Sequence, residues 1–221
     1  PFMQPPRPDR IRKMLADLVA FDTVSDRSNL PLIDYIERYL ASFGVSGERV
    51  VDDTGQKSSL WVTIGPRDKA GLVLSGHTDV VPVAGQDWTH NPFELVERDG
   101  KLYGRGTTDM KGFVAVCLAM VPEMLAAKLS TPIHLAISYD EEIGCVGVRP
   151  MLREVAKKRM KPRGAFIGEP TSMQVIIGHK GKHGVRATFT GLARHSSIAP
   201  EGVNAIEYAA ELITEIRRRA D

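Results

Sequence analysis

The sequence predicts an α/β fold in which helices cover both faces of a mainly parallel sheet, followed by the start of a smaller α+β domain. Short apolar, partly β-branched runs alternate with amphipathic helical patterns along most of the chain, as they do in α/β architectures. The runs are almost continuously apolar, which is typical of strands that are buried on both faces. From about residue 173 the pattern indicates a more exposed sheet, so a second domain is predicted there.

The composition is that of an ordinary globular protein and excludes several classes of function. The chain has 221 residues, of which 43% are hydrophobic and 25% are charged. Its 29 Lys and Arg residues nearly balance 27 Asp and Glu residues, so no overall field points to nucleic acid or an acidic membrane surface. The longest uncharged stretch, near Phe113, is about half as long as a membrane span. Two cysteines and no apolar signal segment predict a reduced, cytoplasmic protein.

The first half of the predicted fold begins with two amphipathic helices. Residues 10–21 place apolar side chains at helical spacing, and residues 31–43 repeat this pattern before Gly44. The proline-rich segment before them is expected to be disordered. Residues 60–64 and 71–74 are short apolar runs bounded by turn residues, so each predicts a buried strand.

The next elements continue the alternation of helices and strands. Residues 110–129 predict one long buried helix despite Pro122 within it. Residues 133–139 predict a strand, residues 148–159 a helix with a basic end, and residues 164–168 a further short strand.

Two domains are predicted, a larger one over residues 1–178 and a second one over residues 179–221. Around this boundary, residues 173–177 and 184–189 predict strands of an exposed sheet, and residues 203–219 predict a helix. About forty residues are few for an independently stable domain, and the sequence stops at the end of that helix. We therefore expect the second domain to be truncated.

A histidine and an aspartate follow the second apolar run. His77 and Asp79 are two residues apart, so in extended backbone their side chains project to one side. The carboxyl ends of strands are where open α/β sheets bind ligands, and a carboxylate can orient a histidine toward a metal. The alternative is a polar end of a strand that carries a surface histidine.

Three further segments place acids at the ends of predicted elements. Asp109 begins the long helix, where its alternative role is to cap that helix. Glu141 and Glu142 follow a strand and diverge, so one can face a metal and the other a water molecule; the alternative is a solvated acidic turn. Glu169 ends the next strand. Crowded carboxylates are costly to ionise unless a cation compensates them.

Together these segments predict a metal site made of His77, Asp109, Glu142 and Glu169. One histidine and several carboxylates suit Zn²⁺, Co²⁺ or Mn²⁺ better than copper, and no cysteine of a structural zinc site accompanies them. Cys145 lies close in sequence, but a small buried side chain is its expected role.

Four motifs resemble those of the di-zinc metallopeptidase and amidohydrolase family that includes acetylornithine deacetylase, succinyl-diaminopimelate desuccinylase and the glutamate carboxypeptidases. They are SGHTDVVP (75–82), LYGRGTTDMKGF (102–113), SYDEEIGCVG (138–147) and IGEPTSM (167–173). Within the family, GTTDMKGF and SYDEEIGC together with HKG (179–181) and HSSIAPEGVNAI (195–206) are most similar to the acetylornithine deacetylases. The chain resembles the amino-terminal half of such an enzyme.

The resemblance implies a role for each matching residue. Asp109 would bridge two zinc ions, with His77 and Glu169 completing one site and Glu142 belonging to the other. Cobalt or manganese could replace zinc.

The remaining matches imply catalytic roles. Asp79 would orient His77, and Glu141 would be the general base that passes a proton to the leaving amine. His195 would be a histidine of the lid and dimerisation domain that reaches a partner subunit's site and stabilises the oxyanion. Its alternative role is that of a loop histidine hydrogen-bonded to Ser196 and Ser197.

The implied function is removal of the acyl group from an N-acyl amino acid. The first substrate that the resemblance implies is N-acetylornithine, in arginine biosynthesis, and the enzyme would be a cytoplasmic homodimer. In the family the second metal takes a terminal histidine from near the carboxyl end, so this chain is expected to hold one metal better than two and to be weakly active. Desuccinylase or peptidase activity, or a truncated non-catalytic binding module, are the alternatives. Neither a nucleic acid nor a membrane is expected as a partner.

Overall fold

The computed structural model describes residues 8–181 and 183–220. The chain forms two compact units, Pro1–Gln174 and Val175–Asp221. Most of the proline-rich start, for which disorder is predicted, lies outside the described residues. The strands are β1 (Gly47–Val51), β2 (Ser58–Ile64), β3 (Leu72–His77), β4 (Val96–Arg98), β5 (Lys101–Tyr103), β6 (Ile133–Ser138) and β7 (Gly164–Ile167). The α-helices are α1 (Pro8–Val19), α2 (Leu30–Ala41), α3 (Lys111–Ala119), α4 (Val121–Ala126), α5 (Val148–Lys157) and α6 (Ala205–Ala220).

The main sheet has the spatial order β1-β2-β6-β3-β7, and β4 pairs with β5 in a separate hairpin. Strand β3 pairs in parallel with both β6 and β7, whereas β2 pairs antiparallel with β1 and β6. All strands of this sheet except β2 therefore run in one direction. The predicted α/β class with a mainly parallel sheet is confirmed.

Helices cover both faces of the sheet because the side chains of each strand alternate between the faces. Apolar stripes of α1, α2 and α3 pack on one face, where Leu60 and Val62 of β2 are fully buried. Trp61 points to the other face, where it packs with Met151 and Val155 of α5. The continuous apolar run of β2 thus reflects two separate cores.

Some elements differ from their predictions. The long helix expected over residues 110–129 is divided at Met120 into α3 and α4, with Pro122 in the first turn of α4. Proline has no N–H to donate to the preceding turn, so the ladder of α3 ends there, whereas the first turn of a new helix tolerates it. The strands β1, β4 and β5 were not predicted.

The second unit contains a 3₁₀ segment, Ser196–Glu201, followed by α6. The strands predicted over residues 173–177 and 184–189 are wrong, because the backbone there joins no ladder with another strand. Between the described residues of this unit there is an isolated bridge from Leu192 to Val203. In the described part of the chain, no helix combines the length and the apolar character needed to cross a membrane.

Candidate metal centre

Three parallel strands bring the predicted site residues to one edge of the sheet. His77 is the last residue of β3, and the parallel register pairs it with Ser138 at the end of β6. Glu141 and Glu142 follow β6 after a short turn, and Glu169 follows β7. Because all three strands end at this edge, residues far apart in sequence become neighbours.

The His77 imidazole lies at the centre of the cluster. Its Nε2 is 3.1 Å from Asp109 Oδ1, 3.7 Å from Glu169 Oε1 and 3.8 Å from Glu141 Oε2. The His77 side chain is only 1% exposed, whereas the side chain of Asp109 is 49% exposed. A buried nitrogen therefore faces carboxylates that solvent can reach.

Two groups in this cluster have the arrangement of metal ligands. His77, Glu141 and Glu169 form one, and His77, Asp109 and Glu142 form the other; in each, one ligand atom per residue lies within 4.8 Å of the rest. A histidine nitrogen and carboxylate oxygens are the donors that zinc and similar divalent cations take in proteins, so the residues fit such an ion. The structure also places Glu141, the predicted general base, at ligand distance.

Asp79 connects the two parts of the cluster. Its Oδ1 accepts a hydrogen bond from the Glu141 backbone N–H at 3.1 Å, and its Oδ2 accepts one from the Glu142 backbone N–H at 3.2 Å. His77 Nδ1 is 2.9 Å from the Asp79 backbone carbonyl and 3.3 Å from its Oδ1. With Nδ1 donating, Nε2 is the nitrogen turned to the acids, which is the arrangement expected of a metal-binding histidine.

The surrounding carboxylates hold a proton on His77. Burial by itself lowers the pKa of His77, but the hydrogen bond and charge of Asp79, with the charges of Glu169 and Asp109, outweigh it and raise this pKa to about 9. For Asp79 the balance is the reverse: burial raises the pKa of its carboxyl, but hydrogen bonds from His77, Ser25 and the Glu141 backbone bring it below the usual value.

The acids at the rim hold their protons more tightly than isolated carboxyls. Burial, followed by the charge of Asp109, raises the pKa of Glu142. Burial and the charges of Asp109 and Glu141 raise the pKa of Glu169 to about 7, although His77 acts in the opposite direction. Negative charge is therefore crowded here, and a divalent cation would relieve the crowding.

Several supporting residues were not predicted from the sequence. Ser25 Oγ donates to Asp79 Oδ2 at 2.8 Å, and Lys57 Nζ pairs with Asp140 Oδ1 at 2.6 Å. Lys111, almost fully buried, donates from Nζ to the Phe21 carbonyl at 2.7 Å. The contacts join distant segments, so sequence spacing contains no signal for them; a lysine inside an apolar helical pattern was the one local indication for Lys111.

Two local alternatives are now decided by the geometry. The residue that precedes α3 is Met110, and no side chain caps this helix, so Asp109 does not serve as its cap. Cys145 is exposed rather than buried, and its thiol donates to Glu141 Oε1 at 3.4 Å. The tight turn after β6 turns this side chain outward instead of into the core.

His195 belongs to the second unit, where it precedes the 3₁₀ segment. Its Nδ1 is 2.9 Å from Ser197 Oγ and accepts a hydrogen bond from the Ser197 backbone N–H at 3.2 Å. Of the two serines in the alternative considered for it, the structure places Ser197 in contact with the ring. Its role in an oxyanion site stays a prediction.

The sequence is similar to those of known proteins over most of its length. Residues 73–219 match the model of peptidase family M20/M25/M40. The chain is 39% identical over 219 residues to the acetylornithine deacetylase of Yersinia pseudotuberculosis, covering 96% of this chain and 56% of that protein. It is also 39% identical over 213 residues to the acetylornithine deacetylase of Proteus mirabilis, covering 95% of this chain and 54% of that protein.

Solved structures show the same fold. A tripeptidase from Staphylococcus aureus superposes with a TM-score of 0.68 at 17% identity, covering 96% of this chain and 57% of that one. Human carnosine dipeptidase 1 superposes with a TM-score of 0.62 at 25% identity, covering 72% of this chain and 38% of that one.

The chain spans about half the length of the curated relatives that it matches. The family match begins within β3 and includes His77, the acids after β6 and Glu169, so it contains the cluster described above. Because that match covers more than half of the chain, the chain belongs to peptidase family M20/M25/M40.

Proposed function

We propose that the protein to which this chain belongs is a zinc-dependent amidohydrolase that converts N-acetylornithine to ornithine and acetate. The observation that carries the proposal is the 39% identity to acetylornithine deacetylases over almost the whole chain. The cluster around His77 supports it, since its donors suit a catalytic divalent ion.

His77, Asp109 and Glu169 would hold one metal ion, and Glu142 would belong to the site of a second. Asp79 would fix the orientation of the His77 ring. When bound, zinc would polarise the acyl carbonyl and lower the pKa of a water molecule. His77 can offer only Nε2 to a metal ion, because Nδ1 is engaged with Asp79. Both ligand groups share this one nitrogen, which favours one tightly held ion in this chain over two.

Glu141 would act as the general base. The backbone N–H of Glu141 donates a hydrogen bond to Asp79, which holds the residue in place. The Glu141 side chain remains partly open to solvent and can exchange protons. It takes a proton from the attacking water, whose oxygen bonds to the acyl carbon. As the carbon–nitrogen bond breaks, Glu141 gives that proton to the departing amine. We further propose that His195 stabilises the oxyanion in the partner subunit's site of a cytoplasmic homodimer.

Zinc titration by calorimetry tests the metal site in the 221-residue chain. His77→Ala removes a member of both ligand groups, so tight binding should be lost. Glu142→Ala removes a member of one group, so binding should be largely retained. His179→Ala, an exposed histidine in the other unit, is the matched control. Equal zinc affinity in the His77 variant and the control would refute the site.

Hydrolysis of several substrates by the whole protein tests the activity. N-acetylornithine, N-succinyl-diaminopimelate and dipeptides are offered at equal concentration with zinc, and free amine is measured. We expect N-acetylornithine to have the highest kcat/KM. The likeness to human carnosine dipeptidase 1 makes a dipeptide the second candidate. A dipeptide turned over faster than N-acetylornithine would replace the proposed substrate while leaving the chemistry unchanged.

A further inference from the structure

A second concave site lies at the other end of the sheet from the metal centre. It is a cavity of about 680 Å³, lined from the sheet by Trp61 of β2 and His134 of β6. His134 precedes Ser138 by four residues on β6, and Ser138 pairs with His77. The cavity is thus roughly 13 Å along the strand from the metal centre, at about 3.3 Å per residue. It shares no lining residue with the cluster of ligands.

The aromatic side of this cavity is a stacked pair of rings. The rings of Trp61 and His134 stack with their centroids 4.9 Å apart at an interplanar angle of 27°. Thr63 Oγ1 is 3.0 Å from His134 Nδ1. A Cβ at Gly71 would lie 2.4 Å from the Pro132 carbonyl oxygen and 2.6 Å from His134 Nε2, so the backbone packs closely against the ring at this glycine. Among the described residues, Nε2 has no hydrogen-bond partner.

The cavity has an excess of positive charge. Its charged lining residues are Glu48, Arg67, Asp68, Lys69, Lys158 and Arg159. Lys158 Nζ forms an ion pair with Glu48, 2.6 Å away, and Lys69 donates to the Ser130 carbonyl at 3.1 Å. The guanidinium groups of Arg67 and Arg159 form no ion pair or hydrogen bond with any residue that the structure describes.

The pKa of His134 reflects both its burial and this excess of positive charge. Burial, followed by the charges of Lys158 and Arg67, lowers the pKa of its imidazole below the usual value. The groups that face it are Thr63 and Trp61 from β2, Arg67 from the loop after β2, and Lys158 beyond the end of α5. The ring therefore lies in a net positive field, which an anion in the cavity would reverse.

We propose that this cavity binds a small molecule carrying a multivalent oxyanion, with the guanidinium groups of Arg67 and Arg159 as its ligands. Guanidinium groups pair with phosphate and carboxylate oxygens through two parallel hydrogen bonds, which favours a multivalent anion. The volume is in the range of about 300–1,000 Å³ typical of small-molecule pockets, so there is room for more than the anionic group. The stacked Trp61 and His134 would contact the rest of the molecule.

The test uses the metal-free 221-residue chain, because the probes chelate divalent cations. The imidazole resonance of His134, assigned through His134→Gln, is titrated against pH with inorganic pyrophosphate, citrate or chloride at matched ionic strength. We expect pyrophosphate or citrate to raise the pKa of His134 saturably, by about one unit. The double variant Arg67→Gln, Arg159→Gln should bind at least tenfold more weakly. Arg153→Gln, an exposed arginine of α5 outside the cavity, should bind as the unmodified chain does.

Each outcome has one meaning. A response to pyrophosphate alone identifies a phosphate ligand, and a response to citrate alone identifies a carboxylate ligand. Three results would overturn the proposal: an equal rise in the pKa of His134 with chloride, no saturable rise with pyrophosphate or citrate, or undiminished binding of these anions by the double arginine variant. Since both arginines are exposed and the chain is free of metal, these results do not depend on hydrolytic activity or on zinc.

Discussion

Asp79 positions the candidate metal ligands around His77, although it belongs to neither of the two groups that could hold an ion. Its carboxylate accepts hydrogen bonds from the backbone N–H groups of Glu141 and Glu142 and from the hydroxyl of Ser25. It also lies 3.3 Å from His77 Nδ1. It therefore fixes both the histidine on β3 and the acids after β6. Replacing a residue that orients a metal ligand typically lowers metal affinity by about 10- to 100-fold.

Replacing Asp79 by asparagine should weaken zinc binding by about 10- to 100-fold without unfolding the chain. The amide has nearly the size of the carboxylate, but its NH₂ group cannot accept a hydrogen bond from the backbone N–H of Glu141 or Glu142. Calorimetric titration measures the change. Ser25→Ala should lower the zinc affinity less, because the charge of Asp79 remains. Asp53→Asn, at an exposed aspartate, should leave the zinc affinity unchanged. Unchanged affinity in Asp79→Asn would show that the acids hold their positions without it.

Zinc affinity should rise with pH because the ion must displace bound protons. In the metal-free chain the pKa of His77 is about 9, so this nitrogen is protonated at neutral pH and must lose its proton to bind zinc. Affinity should rise about tenfold per pH unit from this residue alone between pH 6 and 8. Below pH 7 the dependence should steepen as Glu169 also becomes protonated.

Competition calorimetry in buffers of different ionisation enthalpy measures both the affinity and the protons released. His179→Ala, which leaves the cluster intact, should show the same slope. A chain that binds zinc equally well at pH 6 and pH 8, with no proton release, would contradict the protonated state assigned to His77.

At the scale of elements, the sequence predicted what depends on local pattern. The apolar periodicity of α1, α2 and α5 and the buried runs of β2, β3 and β6 are signals that lie within each segment. The edge strand β1 was missed because its five residues include Glu48 and Arg49 and none of its residues is buried. The strands predicted after residue 173 were wrong because apolar, β-branched composition cannot specify a pairing partner.

For the candidate site, too, the sequence predicted what depends on local pattern, which is the position of acids after strands. Acids placed directly after strands could be expected to meet at one sheet edge, and the structure does bring His77, Asp109, Glu141 and Glu169 together. The contacts of Ser25 and Lys111 depend on how distant loops pack, which no local spacing encodes. Which acid binds metal and which transfers a proton remains a prediction.

The entry to α3 is tightly packed around Gly112. A Cβ at this glycine would lie 2.3 Å from the Thr107 carbonyl oxygen, in the loop that leads to Asp109. Alanine is the better helix former by about 1 kcal/mol, so propensity alone predicts that Gly112→Ala stabilises the chain. Because the clash is with backbone, we expect the opposite: a lower urea midpoint and weaker zinc binding.

Fluorescence of Trp61 and Trp88, both in the first unit, reports this unfolding. Gly164→Ala is the matched control, since a Cβ there would meet only Leu72 Cδ2 at 3.9 Å. A midpoint for Gly112→Ala at or above that of the unmodified chain would show that the Thr107 loop moves away at little cost.

At the scale of the whole molecule, the two units differ in how they are stabilised. The first contains both apolar cores and all the residues of the metal cluster. In the second, none of the described residues is buried. Burial of apolar surface is the main stabilising contribution to folding, so the free energy of unfolding should reside almost entirely in the first unit.

A chain that ends after Gln174 should therefore retain the urea midpoint and the zinc affinity of the 221-residue chain. A chain that ends after Arg163 is the contrasting variant: it lacks β7, which pairs with β3, and Glu169, which belongs to one ligand group. This shorter chain should lose stability and bind zinc more weakly. Tryptophan fluorescence in urea and calorimetric titration measure the two properties. If removal of residues 175–221 lowered both as much as the shorter truncation does, the second unit would be part of the folding core, and the metal centre would depend on it.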